Sequence, residues 1–250
     1  MSFDPSPPKV APYMLILIQA RKGSLRLPNK INADLETPPG ISMLAHVVAR
    51  ASQLGPFIIA TPGPQEQEHD VLSRFARIAR ANPEADSFVR ITADCPLLDV
   101  GIAAHVINLY RRGGHDLVAT TLEMDGLDCE VFSRTALMMT DLNARGRYAR
   151  EHLTHWMRRN LSPLLVNLVP EPIRWSVDDQ GGLDFVRRVY ATCPHCAEGI
   201  PRHTNANGSI GGSDRVIVAE LHHMPAGDLA ECQAADILKE RTGVPIYISS

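Results

Sequence analysis

The residues best suited to chemistry stand together near the amino terminus. Ala20-Arg21-Lys22-Gly23-Ser24-Leu25-Arg26-Leu27-Pro28-Asn29-Lys30 gathers four cations, a glycine, a hydroxyl and a proline in one stretch. Holding a polyphosphate takes exposed backbone N–H groups together with several Arg or Lys side chains. This stretch offers both. Gly23 lets a main-chain amide approach a ligand, Ser24 adds a donor, and Pro28 stiffens the exit. It is not a Walker A loop, whose second glycine is missing, nor the GxGxxG turn of dinucleotide-binding proteins. Ala20 to Lys30 therefore reads as a phosphate-cradling loop.

Carboxylates form the second group. Asp94, in T-A-D-C-P, and Asp178, in R-W-S-V-D-D, each end a predicted strand. Mg²⁺ takes oxygen ligands and binds through one or two carboxylates plus substrate phosphates, so this pair predicts a metal–triphosphate site. Chemistry on a metal-bound triphosphate needs positioning and charge neutralisation but no covalent nucleophile. Asp128 and Glu130, two apart on a predicted short strand, are expected to project the same way and bind sugar hydroxyls. Arg150, Glu151 and His152 open a predicted helix, where reaching that pocket and forming a solvated helix start are equally open readings. Cys95 and Cys129 read as small buried residues, with no activating base identifiable for either.

These residues must be positioned by the elements around them. Tyr13 to Gln19 is a continuous apolar run, as expected of a central strand buried on both faces. Further strands are predicted at Phe57–Thr61, Ser87–Thr92, His115–Thr120, Cys129–Phe132, Leu164–Val169 and Arg174–Val177. Helices are predicted at Ser42–Leu54, from an Asp70 cap to Ala81, Val100–Arg112, from a Ser133 cap to Leu142, Arg147–Asn160 and Leu183–Ala191. The alternation predicts an α/β fold, a three-layer α/β/α sandwich around a mostly parallel, Rossmann-like sheet. Ligands of such sheets bind beyond the carboxyl ends of the strands, and the polar residues above all follow strands.

With these motifs in place, the chain resembles a known family. ILIQARKGSLRLPNK is similar to the N-terminal signature of the sugar cytidylyltransferases, in particular the SpsF-type spore-coat polysaccharide branch related to acylneuraminate and ketodeoxyoctonate cytidylyltransferases. The resemblance continues in order through VRITADCPLLD, GLDCEVFS, REHLT and RWSVDD, covering about Met14 to Tyr190. It implies a nucleotide-diphospho-sugar transferase type of fold. Arg21 and Lys30 would hold the β- and γ-phosphates of CTP, Gly23 and Ser24 would supply loop contacts, and Arg26 a further one. Ala20 and Thr92 join Asp94 among the nucleotide-binding positions, and Arg21, Lys30 and Asp94 form the catalytic set. Asp94 and Asp178 would hold Mg²⁺. Asp128, Glu130, Arg150 and His152 would line the acceptor-sugar side. The implied activity is transfer of CMP from CTP to an acidic, nonulosonate-like sugar for surface polysaccharide synthesis, by a homodimer.

The sequence departs from that pattern in two places. Between Thr61 and Asp70 the chain runs straight through, without the helix, strand and Arg-Gly turn that related enzymes use in recognising the base. Another base or sugar, or a nucleotide-sugar-binding module without turnover, therefore stands as an alternative. The second departure is the tail. The chain divides into a leader (1–12), a nucleotidyltransferase domain (13–193) and a linker with a small appendage (194–250). Cys193-Pro-His-Cys196 forms one metal-type pair, whereas a structural zinc site shows two, so a helix end followed by a linker is the preferred reading.

Bulk composition narrows the rest. In 250 residues the net charge is -3 and aromatics make up 5%, which argues against a nucleic-acid or anionic-membrane partner. No apolar run is long enough to cross a bilayer, and the N-terminus lacks the basic start and apolar core of a signal peptide. Five scattered cysteines fit a reducing compartment, so a cytoplasmic location is expected.

Overall fold

A strand buried on both faces needs an apolar layer on each side of its sheet. The computed structural model, which describes residues 13–20, 26–35 and 42–192, provides both. Along β1 (Tyr13–Gln19), Ile16 and Ile18 enter one apolar cluster while Leu15 and Leu17 enter the other. The chain continues through α1 (Met43–Ala51), β2 (Phe57–Ala60), α2 (Val71–Ala81), β3 (Ala85–Thr92) and α3 (Val100–Arg111). Then come β4 (Leu117–Thr120), β5 (Met124–Asp125), β6 (Glu130–Ser133), α4 (Arg134–Asn143), α5 (Arg147–Glu151) and α6 (His155–Asn160). It closes with β7 (Pro163–Val166), β8 (Ile173–Arg174) and α7 (Gln180–Thr192).

One cluster joins Met43 and Val47 of α1, Ile102 and Val106 of α3, and Val186 and Val189 of α7. The other joins Leu72 and Phe75 of α2, Leu137 of α4 and Met157 of α6. The sheet between them has the order β2-β1-β3-β6-β4-β7. Its pairs are parallel except where β6 runs antiparallel to both β3 and β4. The expected α/β/α sandwich with a mostly parallel sheet is thus what the chain forms. The chain leaves β1 to one side for β2 and returns on the other side for β3, so the carboxyl ends of β1 and β3 flank the point where strand order reverses. Gln19 and Thr92 pair directly there, and that is where ligands of open α/β sheets bind.

The caps read from sequence are real. The Ser73 N–H donates to Asp70 Oδ1 (3.0 Å), and the Ala136 N–H donates to Ser133 Oγ (2.9 Å). Other boundaries moved for identifiable reasons. The predicted helix Arg147–Asn160 breaks into α5 and α6, because Leu153 is fully buried and Thr154 turns inward to donate its hydroxyl to Glu130 Oε1 at 2.6 Å. Only Ile173–Arg174 pairs in a ladder where the strand Arg174–Val177 is predicted, and its partner β5 is too short to read from sequence. Past β8 the chain is held by single bonds, Trp175 N–H to the Asp125 carbonyl and Val177 N–H to the Asp94 carbonyl, both 2.8 Å. Helix α7 starts earlier than expected, since Asp179 caps it through the Gly182 N–H (2.9 Å) despite two glycines in its first turn. The leader, the linker and the appendage, with Cys193 and Cys196, lie outside the described residues.

Gly126 is needed for a close approach. Its φ is +102°, and a Cβ there would meet the Trp175 carbonyl carbon at 2.6 Å. This contact, with the β5–β8 pair, staples the GLDCE segment to the RWSVDD segment and brings Asp128 toward the end of the sheet that carries Asp178.

Candidate active site

At the carboxyl ends of β1 and β3 lies a cleft of about 150 Å³ whose lining includes Gln19, Lys30, Arg90, Thr92, Asp94, Glu151 and His152. The Ala93 N–H donates to the Gln19 carbonyl (3.0 Å), which carries the edge of β3 past β1 and presents Asp94 just beyond the sheet. The Tyr190 hydroxyl donates to the Pro96 carbonyl (3.0 Å), fixing the T-A-D-C-P turn from behind.

Lys30 is the centre of the site. Its side chain is buried, and its Nζ donates to Asp94 Oδ2 (2.8 Å) and to the Val177 carbonyl (2.7 Å), with Asp178 Oδ1 at 3.5 Å. Three distant parts of the sequence therefore meet around one cationic point. Burial would raise the Asp94 pKa, but the Lys30 ammonium and the Thr92 hydroxyl hold its carboxyl below the usual carboxylate range. Asp178 also contacts Arg26 (3.4 Å) and Arg174 (3.1 Å). Of the predicted phosphate and metal residues, the structure brings Ala20, Arg26, Lys30, Thr92, Asp94 and Asp178 to one end of the sheet. Arg21, Gly23 and Ser24 lie outside the described residues.

Two carboxylates converge on a single positive charge, a donor set suited to a hard divalent ion. Among the described residues no group of three or more His, Cys, Asp or Glu side chains could cage a metal.

The expected sugar-binding residues divide. Asp128 and Glu130 do not project together, because β6 begins only at Glu130. Glu130 points into the protein, where Oε2 accepts from Arg90 Nη1 (2.6 Å) and Oε1 accepts from Arg158 Nη2 (2.9 Å) and the Thr154 hydroxyl (2.6 Å). Burial opposes its charge, yet the two guanidiniums bring its pKa down to about 2. Glu130 is thus an internal anchor, buried between Arg90 and Arg158, where the sequence suggests a sugar contact. Arg150 is likewise held elsewhere, by Asp70 (2.8 Å) and Asp141 (3.1 Å), tying α5 to α2 and α4. His152, at the end of α5, does line the cleft, together with Glu151.

Asp128 accepts from the Gly126 N–H (3.0 Å), with Cys95 Sγ 3.4 Å away. Burial pushes its pKa up to about 6, outweighing the Gly126 bond and the pull of Arg90. A carboxyl whose folded value is raised favours folding while protonated and opposes it once charged. Its contribution is therefore fully favourable below about pH 4 and is lost as pH rises through about 6. Asp128→Asn keeps an acceptor for Gly126 and removes the charge. Chemical denaturation should find this variant more stable than the wild type by up to about 2 kcal/mol at pH 8, with no difference at pH 4. Equal stability at both pH values would refute the burial of this charge.

Arg90 also lines the cleft, and no motif in the sequence marked it as a site residue. It sits in β3 among buried neighbours, and its Nε donates to Gln19 Oε1 at 2.8 Å. The only signal available was an arginine near a strand's carboxyl end, just before T-A-D-C-P. Cys95 and Cys129 are buried free thiols with raised pKa, mainly from burial, as expected of packing residues. Among the described residues no helix is long and apolar enough to cross a membrane.

No family model matches this chain. It is 30% identical over 162 residues to an uncharacterized protein of Methanocaldococcus jannaschii, covering 58% of this chain and 66% of that one. A shorter stretch of 62 residues, 24% of this chain, is 45% identical to a 3-deoxy-manno-octulosonate cytidylyltransferase of Bartonella bacilliformis. The chain thus spans 66% and 22% of the lengths of these two curated relatives. Among solved structures, a cytidylyltransferase from Leptospira borgpetersenii superposes with a TM-score of 0.64 at 22% identity, over 72% of this chain and 87% of that one. The order β2-β1-β3-β6-β4-β7, with a cleft at the carboxyl ends of β1 and β3, is therefore an α/β fold that this chain shares with that solved structure.

Proposed function

We propose that this protein is a Mg²⁺-dependent nucleotidyltransferase that transfers CMP from CTP to a sugar hydroxyl and releases pyrophosphate. The observation that carries this reading is the convergence of Asp94 and Asp178 on the Lys30 ammonium at the switch point of the sheet. Asp94 and Asp178 would hold Mg²⁺, which supplies positive charge against the triphosphate. Lys30 and Arg26 add cationic charge from the chain itself, and Arg21, Gly23 and Ser24 would supply further phosphate contacts. The chain also positions these groups. Thr92 and Lys30 orient the Asp94 carboxylate, and the backbone bond from Val177 to Asp94 keeps the two carboxylate segments in register. The attacking hydroxyl, through its oxygen, bonds to the α-phosphorus as the bond to pyrophosphate breaks, and its proton passes to solvent.

The sugar cytidylyltransferase resemblance supports an acidic, nonulosonate-like acceptor and a role in surface polysaccharide synthesis. The short similarity to a 3-deoxy-manno-octulosonate cytidylyltransferase supports the same pairing of CTP with a keto-acid sugar. A homodimer acting in the cytoplasm fits this reading. The direct path from β2 to α2 favours a second reading, that of a different base. That path is latched by Arg74 on the Glu68 carbonyl (2.8 Å) and by Arg77 on Glu66 (2.6 Å), with no further unit inserted between the two elements. Pyrophosphate release should be measured for each of the four ribonucleoside triphosphates against a panel of acidic and neutral sugars, with and without Mg²⁺. Release with CTP and a keto-acid sugar, lost on chelation, is expected. Release with another triphosphate would select the second reading, and nucleotide binding without turnover would overturn both.

A further inference from the structure

Arg90 holds an unusual position for an arginine in a central strand. Its Nε is committed to Gln19 and its Nη1 to Glu130. Among the described residues Nη2 has no hydrogen-bond or ion-pair partner, and the side chain lines the cleft with 17% of its surface exposed. The guanidinium is thus held at Nε and Nη1, with Nη2 left as its free end in the cleft that Lys30 and Asp94 also line.

Charge counting points to what that free end receives. Glu130 is shared by two guanidiniums, those of Arg90 and Arg158, both with side chains mostly buried. The trio carries one surplus positive charge. Asp94 does not neutralise it, since Lys30 already pairs with that carboxylate at 2.8 Å. Asp128, which accepts from the Gly126 N–H, faces Arg90 closely enough to offset part of this charge. Positive charge at the wall of a cleft favours an incoming anion. A free guanidinium Nη2 group can donate charge-assisted hydrogen bonds to an oxyanion.

From this arrangement we infer that Arg90 is a substrate-binding residue whose Nη2 group donates to an oxyanion of the bound substrate. The inference rests on the reading of the cleft as a nucleotidyltransferase site. Its anion is either a carboxylate of the acceptor sugar or a phosphate of the nucleotide, and both present the same chemistry to Arg90. Gln19 and Glu130 fix the plane of the guanidinium before the anion arrives, so the contact is preorganised.

The test uses Arg90→Gln and Arg90→Lys in the full chain, with thermal melting to verify that each variant folds. Losing Arg90 leaves Glu130 paired one-to-one with Arg158, so a folded variant is expected. Calorimetric titrations would use CTP with Mg²⁺, N-acetylneuraminate and 3-deoxy-manno-octulosonate as probes. Arg90→Gln should weaken one class of probe by about 10- to 100-fold, with Arg90→Lys in between. Weakening confined to the two acid sugars assigns the anion to the acceptor carboxylate, and weakening confined to CTP assigns it to a phosphate. Unchanged affinity for every probe in a folded Arg90→Gln protein overturns the inference, as does a wild-type protein that binds none of them. A wild-type protein that binds CTP but releases no pyrophosphate with any sugar defeats the nucleotidyltransferase reading instead, and leaves the anion contact standing or falling on the titrations.

Discussion

Asp94→Asn is expected to lower turnover by about 10³-fold or more and to weaken Mg²⁺-dependent binding of CTP. The substitution is nearly isosteric, so the T-A-D-C-P turn should keep its backbone bonds to Gln19 and from Val177. What it removes is the charge that Lys30 meets at 2.8 Å, leaving the ammonium with Asp178 at 3.5 Å as its remaining carboxylate. A metal held by two carboxylates loses half of its protein ligands, whereas a residue with only a structural part in the turn would cost little. Steady-state kinetics with saturating Mg²⁺, alongside calorimetric titration of CTP with and without the metal, separates these cases. Near-normal turnover in the variant would rule out the metal role of Asp94.

Glu130→Gln is expected to destabilise the fold by about 3–5 kcal/mol, the range for breaking a buried ion pair from one side. Two guanidiniums would be left facing a neutral amide, and Thr154 would keep only a weaker acceptor at the break between α5 and α6. The pH dependence follows from the lowered pKa. Arg90 and Arg158 overcome burial and hold Glu130 at about 2, against 4.5 for the unperturbed group. A depressed carboxyl stabilises the fold fully above its unfolded value and loses that contribution as pH falls toward its folded value. The gap between wild type and variant in urea unfolding should therefore be largest at pH 7 and shrink between about pH 4.5 and pH 2. A gap below about 1 kcal/mol at pH 7 would mean the trio adds little to stability.

Much of the frame was legible in the residues because local signals and tertiary packing agree there. Tyr13 to Gln19 reads as a central strand and is one. Asp70 and Ser133 read as caps, and their side-chain oxygens accept from the first turns of α2 and α4. Asp94 and Asp178 read as strand-end carboxylates and meet at Lys30. What escaped depended on partners far along the chain. The α5–α6 break is set by a bond from Thr154 to Glu130, and β5 and β8 are too short to show a period. The alternation rule that paired Asp128 with Glu130 fails because Asp128 precedes the strand and turns back to Gly126. Arg90 was hidden for the same reason, since a charged residue in a strand becomes meaningful only when Gln19 and Glu130 are found beside it.

The most direct test of nucleotidyl transfer follows the phosphorus atom. CTP labelled at the α-phosphate would be incubated with the protein, Mg²⁺ and each acidic sugar, and the products separated. Label is expected to appear in a CMP–sugar ester in step with unlabelled pyrophosphate, and both should disappear on chelation of Mg²⁺. Label that stays in CTP, or that appears only as free CMP with every sugar, would contradict the proposed transfer.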